Sequence, residues 1–215
     1  MYPDHIHQHA CDGFTVFHTE IRKGHDWPLS CLKILDREDE RRIISLRDDR
    51  MRREFILNRC FRRTILANLL DTEPGLLRFE RSDAGKPFLP DFPDVHFSSS
   101  RTPGYAVMVT GPVPVGIDIE IMTGDDPPAN ILQYLNRYRK PPLTPIPSNI
   151  REEKFKEWWV ANEAIQKMKG IEMEEYGWAF PFDSDARANY LIDEGIRLVS
   201  VQIAGTVAFF AYANP

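Results

Sequence analysis

The chain has 215 residues, room for one large domain or two small lobes. Its 27 Lys and Arg against 32 Asp and Glu leave a formal charge of −5, which argues against a protein built to coat nucleic acid, although a local basic face could still exist. No apolar run approaches the ~20 residues of a membrane helix, the polar, His-rich opening is no secretory signal, and Cys11, Cys31 and Cys60 fit reduced cytoplasmic thiols better than a disulfide framework.

In chain order, residues 1–35 mix short apolar stretches with His, Gly and Pro. Phe14–Phe17 alternates like a strand and Trp27-Pro28 reads as a turn. His5, His7 and His9 also alternate, and on a strand they could join Asp4 around a metal; a disordered polar terminus is the better reading. From Asp36 to Leu70 there is no Gly or Pro, and Ile43, Leu46, Phe55, Leu57, Phe61, Ile65 and Leu69 recur at helical intervals. This predicts two helices that break near Arg47–Asp49. Between Arg37 and Arg63 stand ten Arg against six acidic residues, either a solvated helical face or, since Arg suits bidentate contacts, a phosphate-binding one.

After Gly85-Lys86-Pro87 the pattern turns to short strands at His96–Ser98, Tyr105–Thr110 and Val113–Glu120. Residues 124–147 carry six prolines and read as a functional flap or a disordered loop. Arg151–Lys169 is a helix, and Leu198–Val201 with Thr206–Tyr212 forms a closing hairpin. The expected class is α+β. Both halves run helix then strands, so a lobe boundary near Gly111 is expected, giving lobes 1–110 and 111–215.

Candidate chemistry begins at Val115-Gly116-Ile117-Asp118-Ile119-Glu120. On a strand Ile117 and Ile119 face one way and Asp118 and Glu120 the other. The two carboxylates are then ~6–7 Å apart, a workable span for oxygen ligands of one Mg²⁺. The plainer reading, an amphipathic strand with its acidic side in water, stays open on this segment alone. In the helix, Phe155, Trp158, Trp159, Ala161, Ile165 and Met168 share an apolar arc, and Glu163 and Lys167 neighbour each other on its flank. An i,i+4 pair of this kind is ordinarily worth ~0.2–0.5 kcal/mol of helix stability. Its functional alternative is a third carboxylate with a phosphate-binding cation beside it.

These pieces occur in a telling order: Gly85-Lys86-Pro87, Phe97-Ser98-Ser99-Ser100-Arg101, Gly116-Ile117-Asp118-Ile119-Glu120, and Trp159-Val160-Ala161-Asn162-Glu163-Ala164-Ile165-Gln166-Lys167. The succession resembles the 4′-phosphopantetheinyl transferases of the larger, surfactin-synthetase-activating type, over roughly residues 36–170. The resemblance implies two similar lobes related by a pseudo-twofold with the site at their junction. It implies Asp118, Glu120 and Glu163 as Mg²⁺ ligands, Glu163 and Lys167 as the catalytic pair, and Lys167, Lys86, Ser100, Arg101 and Arg53 as coenzyme A contacts. Arg50, Arg52 and Arg62 compete with Arg53 for its place. The implied activity is transfer of the 4′-phosphopantetheine arm of coenzyme A to a serine of an acyl or peptidyl carrier protein. The implied protein is a cytoplasmic monomer with no nucleic-acid or membrane partner. Arg137, Arg139 and Lys140 form a basic run suited to docking the carrier.

Two positions depart from the family pattern. Arg101 stands where the family has His, and Asn162 where it has Lys. Arg can still bind phosphate but cannot accept a proton at neutral pH, and Asn162 removes a positive charge beside the carboxylates. These departures keep open a non-catalytic relative that binds coenzyme A or a carrier protein. Glu152-Glu153-Lys154 leaves a weaker alternative, another Mg²⁺-dependent phosphodiester enzyme such as a nuclease.

Overall fold

The computed structural model describes residues 6–21, 29–125, 127, 129–137, 146–171, 190–192 and 195–213; the Trp27-Pro28 turn, Arg139 and Lys140 lie outside them. Strands β1 (His7–Cys11) and β2 (Phe14–Glu20) precede a 3₁₀ segment at Leu29–Ile34. Helices α1 (Arg37–Ser45) and α2 (Asp49–Leu69) follow, and both start on an aspartate cap. Asp36 accepts from the Asp39 N–H at 2.9 Å, and Asp48 accepts from the Met51 N–H at 2.8 Å. Each cap satisfies a first-turn donor that has no intrahelical partner. The helical break therefore falls at Leu46–Asp48, where the sequence pattern put it.

Next come the short hairpin β3 (Glu80–Arg81) and β4 (Pro87–Phe88), which carries the Gly85-Lys86-Pro87 turn. Strands β5 (His96–Thr102), β6 (Tyr105–Gly111) and β7 (Val115–Ile121) then run in succession. The remaining elements are α3 (Ala129–Arg137), α4 (Glu152–Lys169), β8 (Tyr190–Ile192), β9 (Ile196–Val201) and β10 (Thr206–Ala213). The class is α+β.

Two four-stranded sheets form, ordered β1-β2-β6-β5 and β7-β10-β9-β8. Alternation on their strands builds three apolar layers. Phe17, Ala106 and Met108 face Phe61, Ile65 and Leu66 of α2. Val16, Val107 and Val109 meet Ile117, Ile119 and Phe210 between the sheets. Phe209, Ala211 and Leu198 face Trp158, Ala161, Ala164 and Ile165 of α4. Of the apolar arc expected on the last helix, Trp158, Ala161, Ile165 and Met168 are buried, and Phe155 and Trp159 pack against the same layer partly buried.

Two expectations are corrected. The His-rich terminus is not disordered over residues 7–11: β1 pairs antiparallel with β2, placing His7 opposite His18, and the two rings stack at 5.1 Å. His5 and Asp4 lie outside the described residues. Nor is the Pro-rich stretch loop throughout, because α3 forms within it and buries Leu132 and Leu135. Residues 129–137 themselves contain no proline, so no missing N–H breaks a hydrogen bond within them.

α4 is fixed at both ends. Gly170 adopts φ +65° and closes the C-terminus by donating to Gln166 O at 2.8 Å. Near the start, Glu152 accepts from the Thr123 N–H (2.7 Å), the Thr123 hydroxyl (2.6 Å), the Gly124 N–H (2.7 Å) and Lys156 Nζ (2.5 Å). This clamp ties the exit of β7 to α4. In between, the helix lies almost on the β7 backbone: a Cβ on Gly116 would fall 2.0 Å from Ala164 O and 2.2 Å from Met168 N.

Two outcomes follow from that packing. Gly116→Ala meets helix backbone that cannot rotate away, so it should destabilise the protein by about 1–3 kcal/mol, read from denaturant midpoints. The Lys156 and Thr123 hydrogen bonds hold Glu152 down to about 2 from 4.5. The unfolded chain thus binds more protons in that window, so the clamp's stabilisation is complete above about 4.5 and is lost as pH falls toward about 2. In Glu152→Gln the urea midpoint should fall less steeply across that range; an unchanged acid limb would deny the clamp any role.

Candidate active site

β7 sets two carboxylates on the face turned toward α4. In the β7–β10 register Asp118 stands opposite Phe209 and Glu120 opposite Val207, both of the α4 layer, whereas Ile117 and Ile119 enter the layer between the sheets. The alternation expected from sequence is present, but the acidic side is not simply in water: Asp118 is 5% exposed. Because Gly116 admits the helix so closely, Glu163 and Lys167 of α4 reach the same region. Lys167 Nζ donates to Asp118 Oδ1 at 2.5 Å and to Ser100 Oγ at 3.1 Å, and Ser100 Oγ donates to the same Asp118 oxygen at 2.6 Å. Ser100, Asp118 and Lys167, from three different elements, thus form one hydrogen-bonded group.

Glu120 and Glu163 belong to the same electrostatic neighbourhood. Burial pushes the Glu163 carboxyl above its ordinary range; Asp118 and Glu120 add to this, and Lys167 opposes it. Glu120 is also raised, chiefly by burial and further by Asp118, while the Thr102 hydrogen bond, Lys156 and Lys167 pull it down. Three crowded carboxylates supply oxygen ligands, the donor type a hard divalent cation such as Mg²⁺ takes, and such a cation would relieve their repulsion. As the side chains stand, no three acidic, His or Cys groups among the described residues close around an ion. Asp118 is drawn to Lys167 instead.

Beside this group opens a cleft of about 360 Å³, lined by Gly85, Lys86, Pro87, Ser98, Ser99, Glu163, Gln166 and Lys167 among others. That size accommodates a substantial part of a small ligand. Lys86 reaches across its wall and donates to Val115 O at 3.1 Å and Met168 O at 3.0 Å, bolting the β3–β4 turn to β7 and to the end of α4. Burial lowers its pKa from 10.5 to about 8.

The other expected cations stand apart from this cleft's lining. Arg101 donates to Glu54 of α2 at 2.9 Å, and Glu54 also lies 3.6 Å from Arg50. Arg53 is exposed on α2. Its competitors are committed: Arg50 to Glu54, Arg52 to Leu46 O at 2.8 Å, and the buried Arg62 to the face of Phe79 at 4.3 Å. Asn162, at the position of the lost lysine, is 1% exposed and donates to Trp158 O at 2.8 Å.

Sequence reasoning missed three features. Ser98 and Thr102 join Ser100 in a row of hydroxyls facing β7; their period-two spacing was the available signal. Lys156 lies close enough to act electrostatically on Glu120. Finally, a second cleft of about 330 Å³ opens between α1 and α2, lined by Arg41, Arg42, Arg59 and Arg81 with Phe55, Ser45, Glu38 and Asp39. A narrow pocket shares Arg59 and Arg81 with it and Pro87 with the first cleft, so a trail of concave surface skirts the β3–β4 hairpin between the two.

Known proteins resemble the chain in sequence. Over 125 residues it is 25% identical to the 4′-phosphopantetheinyl transferase Sfp of Bacillus subtilis (strain 168), covering 57% of this chain and 52% of that protein. A second 4′-phosphopantetheinyl transferase of Bacillus subtilis is 37% identical over 60 residues, 28% of this chain and 27% of that protein. The chain is a sequence relative of the 4′-phosphopantetheinyl transferases. It spans about half the length of the Sfp protein it matches. No family model matches it. Among the described residues, no helix is long and apolar enough to cross a membrane.

The Lys86 bolt yields a measurable consequence for stability. Between about 8 and 10.5 the unfolded chain binds a proton that the folded chain has released, so Lys86 adds stability as pH rises through that window. Lys86→Met should remove this upward contribution, seen in urea midpoints measured from pH 7.5 to 10.5. An identical alkaline profile would show that Lys86 is as solvated folded as unfolded.

Proposed function

We propose that the chain transfers the 4′-phosphopantetheine arm of coenzyme A to a serine of an acyl or peptidyl carrier protein, with Mg²⁺ held by Asp118, Glu120 and Glu163. One observation carries the proposal: Glu163 and Lys167 line a cleft walled by the Gly85-Lys86-Pro87 turn, with Asp118 hydrogen-bonded to Lys167 behind them. The names of the relatives support the same transfer chemistry. The working unit proposed is a cytoplasmic monomer of two pseudo-twofold lobes, 1–110 and 111–215. In support, each four-stranded sheet draws its strands from one side of that boundary, to within the last residue of β6.

Mg²⁺, when bound, offsets negative charge on the pyrophosphate and on the leaving 3′,5′-ADP. The remaining work falls to the chain's own groups. Lys167 presents its ammonium to a phosphate at the cleft wall, Ser100 orients that ammonium, and Glu163 accepts the proton of the attacking serine hydroxyl. Lys86 holds the turn that frames the nucleotide. The arginine-lined cleft, with Arg53 on the exposed side of α2, receives the phosphorylated nucleotide end, for which guanidinium forks are well matched. Arg101 joins them when an anion displaces Glu54. Docking of the carrier on the basic run remains part of the proposal; the Arg137 side chain and the whole of Arg139 and Lys140 lie outside the described parts of the structure.

A second reading has its own observation. Arg101 is held by Glu54, and Asn162 is buried against its own helix, so neither replacement lines the cleft wall as the chain stands. A relative that binds coenzyme A without transferring from it would look this way. Incubation with coenzyme A, Mg²⁺ and a panel of apo carrier proteins, read by intact mass, separates the two. Gain of one phosphopantetheine establishes transfer; binding of coenzyme A with no mass gain on any carrier establishes the second reading. Asp118→Ala, Glu120→Ala and Glu163→Ala should each lower transfer by roughly a hundredfold or more while unfolding remains cooperative. Full activity in any one of them would remove that residue from the metal set.

A further inference from the structure

β5 and β7 are edge strands of different sheets that run side by side, and the gap between them is bridged by side chains of β5. Ser98 Oγ accepts the Ile117 N–H at 3.1 Å, and Ser100 Oγ donates to Asp118 Oδ1 at 2.6 Å. Thr102 does both jobs at once. Its Oγ1 accepts the Ile121 N–H at 3.3 Å and donates to Glu120 Oε2 at 3.0 Å. A backbone N–H can only donate, so the single proton of the Thr102 hydroxyl is directed onto Glu120. Thr102 is 3% exposed, which keeps water from replacing either bond. The consequence is the same for both carboxylates: a β5 hydroxyl grips one oxygen, and the other (Asp118 Oδ2, Glu120 Oε1) has no hydrogen bond among the described residues.

We propose that Thr102 is a positioning residue, the outer rung of a hydroxyl rack with which β5 sets Glu120, as Ser100 sets Asp118, so that one oxygen of each is presented to a divalent cation. This inference rests on the metal-dependent reading of the site. It differs from a stitching role, in which Thr102 would serve only to cap the Ile121 N–H.

The test uses Mn²⁺ as an oxygen-seeking, spectroscopically visible stand-in, titrated into the full chain without coenzyme A or carrier and followed by the electron paramagnetic resonance of the free ion. Thr102→Val keeps shape but loses the hydroxyl, and it should weaken Mn²⁺ binding roughly tenfold or more. Thr102→Ser, which keeps the donor, should recover most of the affinity. Thr102→Ala carries the same test should the valine variant not fold. A Val or Ala variant with a lowered melting temperature but wild-type Mn²⁺ affinity overturns the positioning role alone. Failure of the wild type to bind Mn²⁺ overturns the metal reading and this inference together.

Discussion

The row of hydroxyls from Ser98 to Thr102 is the contact on which the rest of the arrangement turns. Two sheet edges that meet without a backbone ladder leave N–H groups that must find acceptors, and β5 supplies them from the side chains of Ser98 and Thr102, while Ser100 between them donates to Asp118. Serine and threonine are small enough to let the strands approach and carry the oxygen that the opposing backbone needs. Once β7 is held from that side, Gly116 allows α4 to lie against it from the other. The carboxylates of Asp118 and Glu120 are thereby held between a strand of one sheet and a helix packed on the other.

Most of this frame could be read before any coordinates, because it follows from local rules. The break between α1 and α2, the Asp118–Glu120 alternation and the buried arc of α4 each express a periodicity within a single segment. β1 escaped because its HQHAC sequence offers no apolar alternation: it is an edge strand with His7, Gln8 and Ala10 exposed. α3 escaped because prolines crowd around it, although Leu132 and Leu135 stand three apart as a short helix needs. The hydroxyl rack and the arginine cleft are tertiary facts. They join residues from separate elements, and no window on the chain contains them.

The arginine-rich segment illustrates that limit most clearly. As a run of charge it could be a solvated face or a phosphate site, and it proves to be neither throughout. Arg63 is fully buried, donating to Leu77 O at 2.8 Å and pairing with Asp36, so it ties α2 to the α1 cap and to the turn beyond. Arg59 pairs with Asp39 at 2.8 Å. Arg41 and Arg42 instead line an open cleft. One residue type performs structural and surface work within a few turns of helix, and only the neighbours that folding brings decide which.

The register of β7 against β10 has a consequence in time. Asp118 and Glu120 stand opposite Phe209 and Val207, contributed by nearly the last residues described. During synthesis every carboxylate and lysine of the site is made long before the strand that pins them exists, and Glu163 and Lys167 have only part of a sheet on which to settle. Pairing so distant in sequence carries a closure cost that local helices do not. The candidate centre is therefore completed later than its parts: a growing chain acquires the ligands first and the closed site only when β10 joins the sheet.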